Sequence, residues 1–301
     1  MLTITVAVND DAREGVEAEH GLSLILRCGR WLALVDVGAG RTTAQNLARF
    51  GVDFAEVDDV FFSHGHYDHT GGLASVARRL AKARFWHGPD FIRRRWRVEP
   101  DLTRQIGMPE PCRAVWEALA PERLREVGAP RTRLFGGKEI TLTGPIPRRS
   151  DETAGGPFFL DSSGTLPDTI DDEIAAAVPL RGGGSLLITG CCHAGLINTL
   201  EHCRSLGLAI TAVLGGLHLN RAGEERLRRT ADYLNGSSVE RLILTHCTGA
   251  EAGEFLTREF RGETTAALAG DVLEFSLLFT KSTRPRPMAG AAFLTLPLTP
   301  G

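Results

Sequence analysis

The chain has 301 residues, 43% hydrophobic and 24% charged, a composition typical of globular proteins and long enough for one large domain or two small ones. Its formal net charge of −3 removes any global electrostatic case for binding nucleic acid, so recognition of an anion would have to be local. The start, Met1-Leu2-Thr3-Ile4-Thr5-Val6, lacks the basic and apolar blocks of a signal peptide, and no run approaches the ~18 apolar residues of a membrane span, so a cytoplasmic protein with no membrane partner is expected.

Apolar runs over Leu2 to Val8, Leu22 to Cys28 and Trp31 to Val35 predict a meander of strands, followed by a helix over Thr42 to Phe50. Another apolar run, Val60-Phe61-Phe62, leads straight into Ser63-His64-Gly65-His66-Tyr67-Asp68-His69-Thr70-Gly71-Gly72. Neither a core nor a solvated loop needs three imidazoles and a carboxylate so close together, and these are the donors that suit zinc, iron or manganese. His64 and His66, two apart in extended chain, project to one side, whereas Asp68 and His69 fall on the turn that follows. The spacing therefore predicts two metal positions, one held by His64 and His66 and its neighbour by Asp68 and His69. Gly71 and Gly72 let the backbone pass close to the site before a helical pattern from Leu73 to Ala83.

Residues 88–170 are rich in Pro, Gly and Arg and predict an insertion lying over the site. Arg93, Arg94, Arg95 and Arg97 there, with Arg148 and Arg149, are candidates for recognising phosphate or carboxylate, against the alternative of a solvated face. The second half alternates: strand Ser185 to Thr189, helix Gly195 to Leu206, strand Ala209 to Leu214, helix Gly223 to Leu234, strand Arg241 to Thr245, and a closing strand within Gly270 to Phe279. Beyond Lys281 the chain carries Pro285, Pro287, Pro297 and Pro300 without core periodicity, which predicts an extension outside a main domain of residues 1–280. Cys28, Cys112, Cys191, Cys192, Cys203 and Cys247 show no paired framework and are expected as thiols, with Cys191 and Cys247 each adjoining a candidate ligand.

The His64 to His69 run resembles the hallmark of the metallo-β-lactamase-fold superfamily of metal-dependent hydrolases. Leu34-Val35-Asp36-Val37-Gly38 is similar to the family's early strand, whose aspartate buttresses the metal loop. The combination of Gly190-Cys191-Cys192-His193-Ala194-Gly195, Gly215-Gly216-Leu217-His218-Leu219 and Thr245-His246-Cys247-Thr248-Gly249 looks most like the dihydropterin ribofuranosyl-aminobenzene-phosphate synthase-like branch. The resemblance implies an α/β fold, an αββα sandwich, and makes His246 the last ligand. It also implies a middle-strand histidine and a bridging aspartate, and here the sequence departs from the pattern. No histidine occurs between His87 and His193, so His193 takes the imidazole role, and Cys191 stands where the aspartate is usual. His218 resembles the histidine that protonates a leaving group in some relatives, and His20 and His202 are read as surface or core residues. The implied activity is hydrolysis of a small phosphorylated or otherwise anionic substrate with two divalent ions, zinc first and iron or manganese as alternatives, with Asp68 and His218 catalytic. A pterin-precursor synthase-like enzyme and a diiron redox or oxygen-handling protein are the competing readings. A small molecule is the expected partner, nucleic acid is not, and the oligomeric state stays open.

Overall fold

The structure is a computed structural model that describes residues 1–150, 152 and 156–278, so the proline-rich extension beyond Lys281 lies outside the described residues. One seven-stranded sheet runs in the order Val272–Phe275, Leu2–Val8, Ser23–Cys28, Trp31–Val35, Asp59–Phe61, Arg84–His87 and Leu124–Glu126. The other runs Glu263–Ala266, Arg241–Leu244, Ile210–Gly215, Ser185–Ile188, Ala176–Pro179, Lys138–Leu142 and Arg131–Phe135. The meander of the first three sequence strands is antiparallel, whereas Trp31–Val35, Asp59–Phe61 and Arg84–His87 are parallel to one another.

Strand alternation decides the layering, because neighbouring residues point to opposite faces. Leu24 and Leu26 face the other sheet and pack in a shared core with Ile4, Phe61, Leu186, Ile188 and Leu214. Ile25, between them, faces outward with Leu34, Val60 and Phe85 toward helices Thr43–Arg49, Leu73–Val76 and Glu110–Glu117. On the second sheet Leu187 likewise faces outward, with Val213 and Leu242, and is covered by Leu200, Leu227 and Leu256 of helices Leu196–Ser205, Glu224–Asn235 and Ala250–Glu259. Both faces of each sheet are thus buried, which is why the central strands read as continuous apolar runs. The architecture is the expected αββα sandwich.

Two expectations change. The pattern from Leu73 to Ala83 forms only one turn of α-helix, Leu73–Val76, continued by the 3₁₀ turn Ala77–Arg79, with Leu80, Ala83 and Val76 docked into the outer core. Residues 88–170 do not form one excursion. Leu124–Glu126 extends the first sheet, and Arg131–Phe135 with Lys138–Leu142 forms an edge of the second, inserting Phe135, Ile140 and Leu142 into the central core. Trp96–Glu99, Leu102–Gln105 and Phe158–Phe159 instead form a separate three-stranded sheet, joined to the His64 to His69 loop by a bridge between His66 and Gly107.

Candidate metal centre

Strands Ser185–Ile188, Ile210–Gly215 and Arg241–Leu244 are parallel, so the loops leaving their C-terminal ends collect at one edge of the sandwich. Asp59–Phe61 of the facing sheet delivers the His64 to His69 loop to the same place, where one cleft is lined by His66, Asp68, Cys191, His193, His218 and His246. Between the first two histidines only glycine fits, since a Cβ on Gly65 would lie 2.0 Å from the Phe91 carbonyl oxygen and 2.5 Å from Arg95 Nη1. Asp36, Cys192, His218 and His246 adopt positive φ (55°, 60°, 48° and 45°), and such strain gathers where surrounding structure fixes a side chain's aim.

The ligand atoms form two groups. His64 Nε2 lies 3.0 Å from His66 Nδ1 and 3.2 Å from His193 Nε2. Four donors about 2.0–2.1 Å from a tetrahedral metal stand roughly 3.3–3.4 Å apart, so this spacing suits a shared ion. In the second group His246 Nε2 is 3.3 Å and His69 Nε2 3.9 Å from Asp68 Oδ2, with His69 Nε2 3.1 Å from Cys191 Sγ. Cys191 stands between the groups: its sulfur lies within 4.8 Å of the nearest ring nitrogens of both His64 and His69.

The chemistry of these atoms fits a cation. Burial holds His64, His66 and His193 well below the ordinary imidazole range, keeping their lone pairs free although they converge. Among these atoms His246 Nε2 is buried without a hydrogen-bond partner. Burial raises Asp68, but His69, His20 and His246 outweigh it and keep the carboxylate ionised. Burial also pushes the Cys191 thiol up, so it ionises only when a cation compensates. Ligation should also mask the sulfur: at alkaline pH, where a released thiol can ionise, alkylation of Cys191 should be slower in metal-loaded protein than after chelation, with the buried Cys28 and Cys203 as comparators; equal rates would remove Cys191 from the ligand set.

Partners behind the ligands orient them. Asp36 accepts from Ser63 N and Oγ at 2.8 and 2.7 Å and pairs with His69 Nδ1 at 2.7 Å, while Ser63 Oγ is 3.0 Å from His64 Nδ1. Asp10 lies 3.2 Å from His246 Nδ1 and 2.9 Å from His20 Nδ1, and His20 Nε2 reaches Asp68 Oδ2 at 3.3 Å. His20, read from sequence as surface or core, therefore sits in the cleft, paired with Asp10 and Asp68, which raise it to about 9.

The six candidate arginines separate. Arg97 lines the cleft, with its guanidinium on Glu99. Arg95 is 1% exposed and ion-paired to Asp168 and Asp172, a buried role in place of the expected anion contact. Arg93 pairs with Asp90 and Arg94 with Glu110 on the surface. Arg148 donates to the His193 and Thr169 carbonyls, and Arg149 is exposed. Two arginines that the sequence reading passed over join Arg97: Arg104, stacked 5.0 Å above the Tyr67 ring, and Arg221, 3.1 Å from Glu99.

The profile described as Metallo-beta-lactamase superfamily matches residues 21–167. A Methanocaldococcus jannaschii protein named 7,8-dihydropterin-6-methyl-4-(beta-D-ribofuranosyl)-aminobenzene-5'-phosphate synthase is 25% identical over 238 residues, 76% of this chain and 79% of its own. An uncharacterised protein of the same organism is 27% identical over 83% of this chain and 91% of its own. Among solved structures, Tm1679, described as a metal-dependent hydrolase of the beta-lactamase superfamily, superposes with a TM-score of 0.76 at 29% identity, covering 92% of this chain and 100% of that one. YhfI of Bacillus subtilis, a metallo-beta-lactamase fold protein, shares the fold at 14% identity and a TM-score of 0.52, over 90% of this chain and 98% of its own.

Proposed function

We propose that this chain, similar over residues 21–167 to the metallo-β-lactamase superfamily, is a hydrolase using two divalent metal ions, zinc in the first instance, on a small anionic substrate that includes a phosphate. The observation that carries this reading is the pair of ligand groups meeting at Cys191. His64, His66 and His193 would hold one ion and Asp68, His69 and His246 the other, with Cys191 shared. Ions held there supply Lewis acidity, polarising the bond to be cleaved and lowering the pKa of water toward ~7.

The protein's own groups do the rest. Asp68, ionised and facing the cleft, accepts a hydrogen bond from the attacking water and orients it. Arg97, Arg104 and Arg221 place three guanidinium groups around the cleft mouth for the substrate's charge. Phe158 and Tyr67 form apolar walls that limit water. His218, its ring 4.4 Å from that of His193 and its Nδ1 unpartnered, donates a proton to the departing group.

Turnover should be found among phosphomonoesters and phosphodiesters when these are screened beside neutral lactones and thioesters; activity confined to the neutral compounds would overturn the anionic part of the reading. Arg104→Ala and Arg221→Ala should each raise KM about 10-fold or more with little change in kcat, since a hydrogen bond to a charged group contributes about 1.5–3 kcal/mol. Unchanged KM would exclude these arginines from substrate binding. A second reading, a diiron redox protein, is favoured by the thiols of Cys191 and Cys247 in the cleft, because sulfur donors suit iron as well as zinc. Bound iron with visible absorption and no hydrolysis would establish it.

A further inference from the structure

We propose that the adjacent acids Asp172 and Glu173 are positioning residues for the His64, His66 and His193 half of the centre, acting through the backbones of the two ligand loops. This rests on the metal-centre reading above. Both residues are buried, 2% and 3% exposed, and nothing in the sequence reading singled them out. Glu173 accepts from the backbone N–H of His193 at 2.5 Å with Oε1 and from that of Ala194 at 2.7 Å with Oε2. Asp172 Oδ2 accepts from the N–H of Gly65, the residue between His64 and His66, at 2.8 Å. One dipeptide thus holds the loop from the first sheet and the loop from the second, and all three histidines of that half sit on or beside an N–H that it fixes.

The dipeptide is itself held firmly. Arg95 forks onto Asp172 at 2.7 and 3.0 Å and reaches Asp168 at 2.8 Å, so the buried charge of Asp172 is compensated. Ile174 N donates to the Ser63 carbonyl at 2.9 Å, and a Cβ on Gly88 would lie 1.9 Å from the Asp172 carbonyl oxygen, so the backbone is pinned on both flanks. Arg95 leads directly into the strand Trp96–Glu99, which ties the same network to the small sheet over the cleft. The other half of the centre is oriented differently, through Asp10 on His246 and Asp36 on His69. Partners that orient ligands commonly change metal affinity by 10–100-fold, and here the effect should be confined to one position.

The test uses the full chain and zinc or Co(II) as probe, read as ions bound per chain and as the Co(II) absorption spectrum during titration. Glu173→Gln and Asp172→Asn keep nearly the same volume and should bind one ion as the unmodified protein does and the second about 10–100-fold more weakly. Glu173→Asp, which retains the acceptor charge, should recover part of the loss. Asp10→Asn should weaken the opposite position, with a different Co(II) spectrum in its singly loaded state. Unchanged affinities in Glu173→Gln and Asp172→Asn would overturn the proposal. So would equal weakening of both positions with a lowered melting temperature of the metal-free protein, which marks a general structural role. Failure of the unmodified protein to bind any metal would instead overturn the metal-centre reading and remove the basis of this one, a result distinguishable from two ions bound alike by all variants.

Discussion

His64→Ala, His66→Ala and His246→Ala are each expected to lose bound metal and activity together. Each position draws only three or four donors from the protein, so deleting one imidazole leaves too few for tight binding. Loss of an ion that lowers the barrier by several kcal/mol corresponds to a fall in kcat of about 10³-fold or more. His64→Ala and His66→Ala should empty the position they share with His193, and His246→Ala the other. Asp68→Ala should be selective, emptying mainly the position it shares with His69 and His246. Metal content of each purified variant checks these outcomes, and full occupancy in any histidine variant would remove that residue from the ligand set.

His218→Ala should behave in the opposite manner, keeping its metal while kcat falls by about 10²-fold or more, as for loss of a general acid. The physical ground is placement: His218 ends the strand Ile210–Gly215 in a strained loop, beside His193 but outside the two groups of closely spaced ligand atoms. The deficit should shrink as the leaving group becomes a weaker base, since such a group departs without a proton. Leaving-group dependence measured on a series of substituted aryl esters of the best substrate decides the matter. Loss of metal would make His218 a ligand, a role its proximity to Cys191 and His193 allows geometrically. A uniform deficit across the series, with metal retained, would make it a positioning group.

The convergence of His64 and His66 was legible because it is local: the apolar run before them fixes a strand end, and period-two projection then aims the two rings together. The sandwich was legible as a resemblance, and the burial of both sheet faces explains the continuous apolar runs that strand periodicity alone leaves ambiguous. What failed was non-local. Arg95 looked like one member of a surface charge run, yet Asp168 and Asp172, far along the chain, draw it inside. Asp10, His20, Asp172 and Glu173 reach the centre from loops with no periodicity, and only the folded topology brings them behind the ligands. A signal existed for Arg221, which follows His218 by three residues in the same strand-end loop, and for Asp10, which leaves the strand Leu2–Val8. The division of residues 88–170 was hidden because its edge strands are short and only part-buried, so alternation in Arg131–Phe135 and Lys138–Leu142 is weak.

Counting divalent ions per chain in protein made without added metal, before and after exhaustive chelation, is the most direct test of a two-metal hydrolytic centre. Two ions per chain, predominantly zinc, with hydrolysis lost on chelation and restored by zinc, is the predicted result. Hydrolysis that persists in protein stripped of both ions would contradict it.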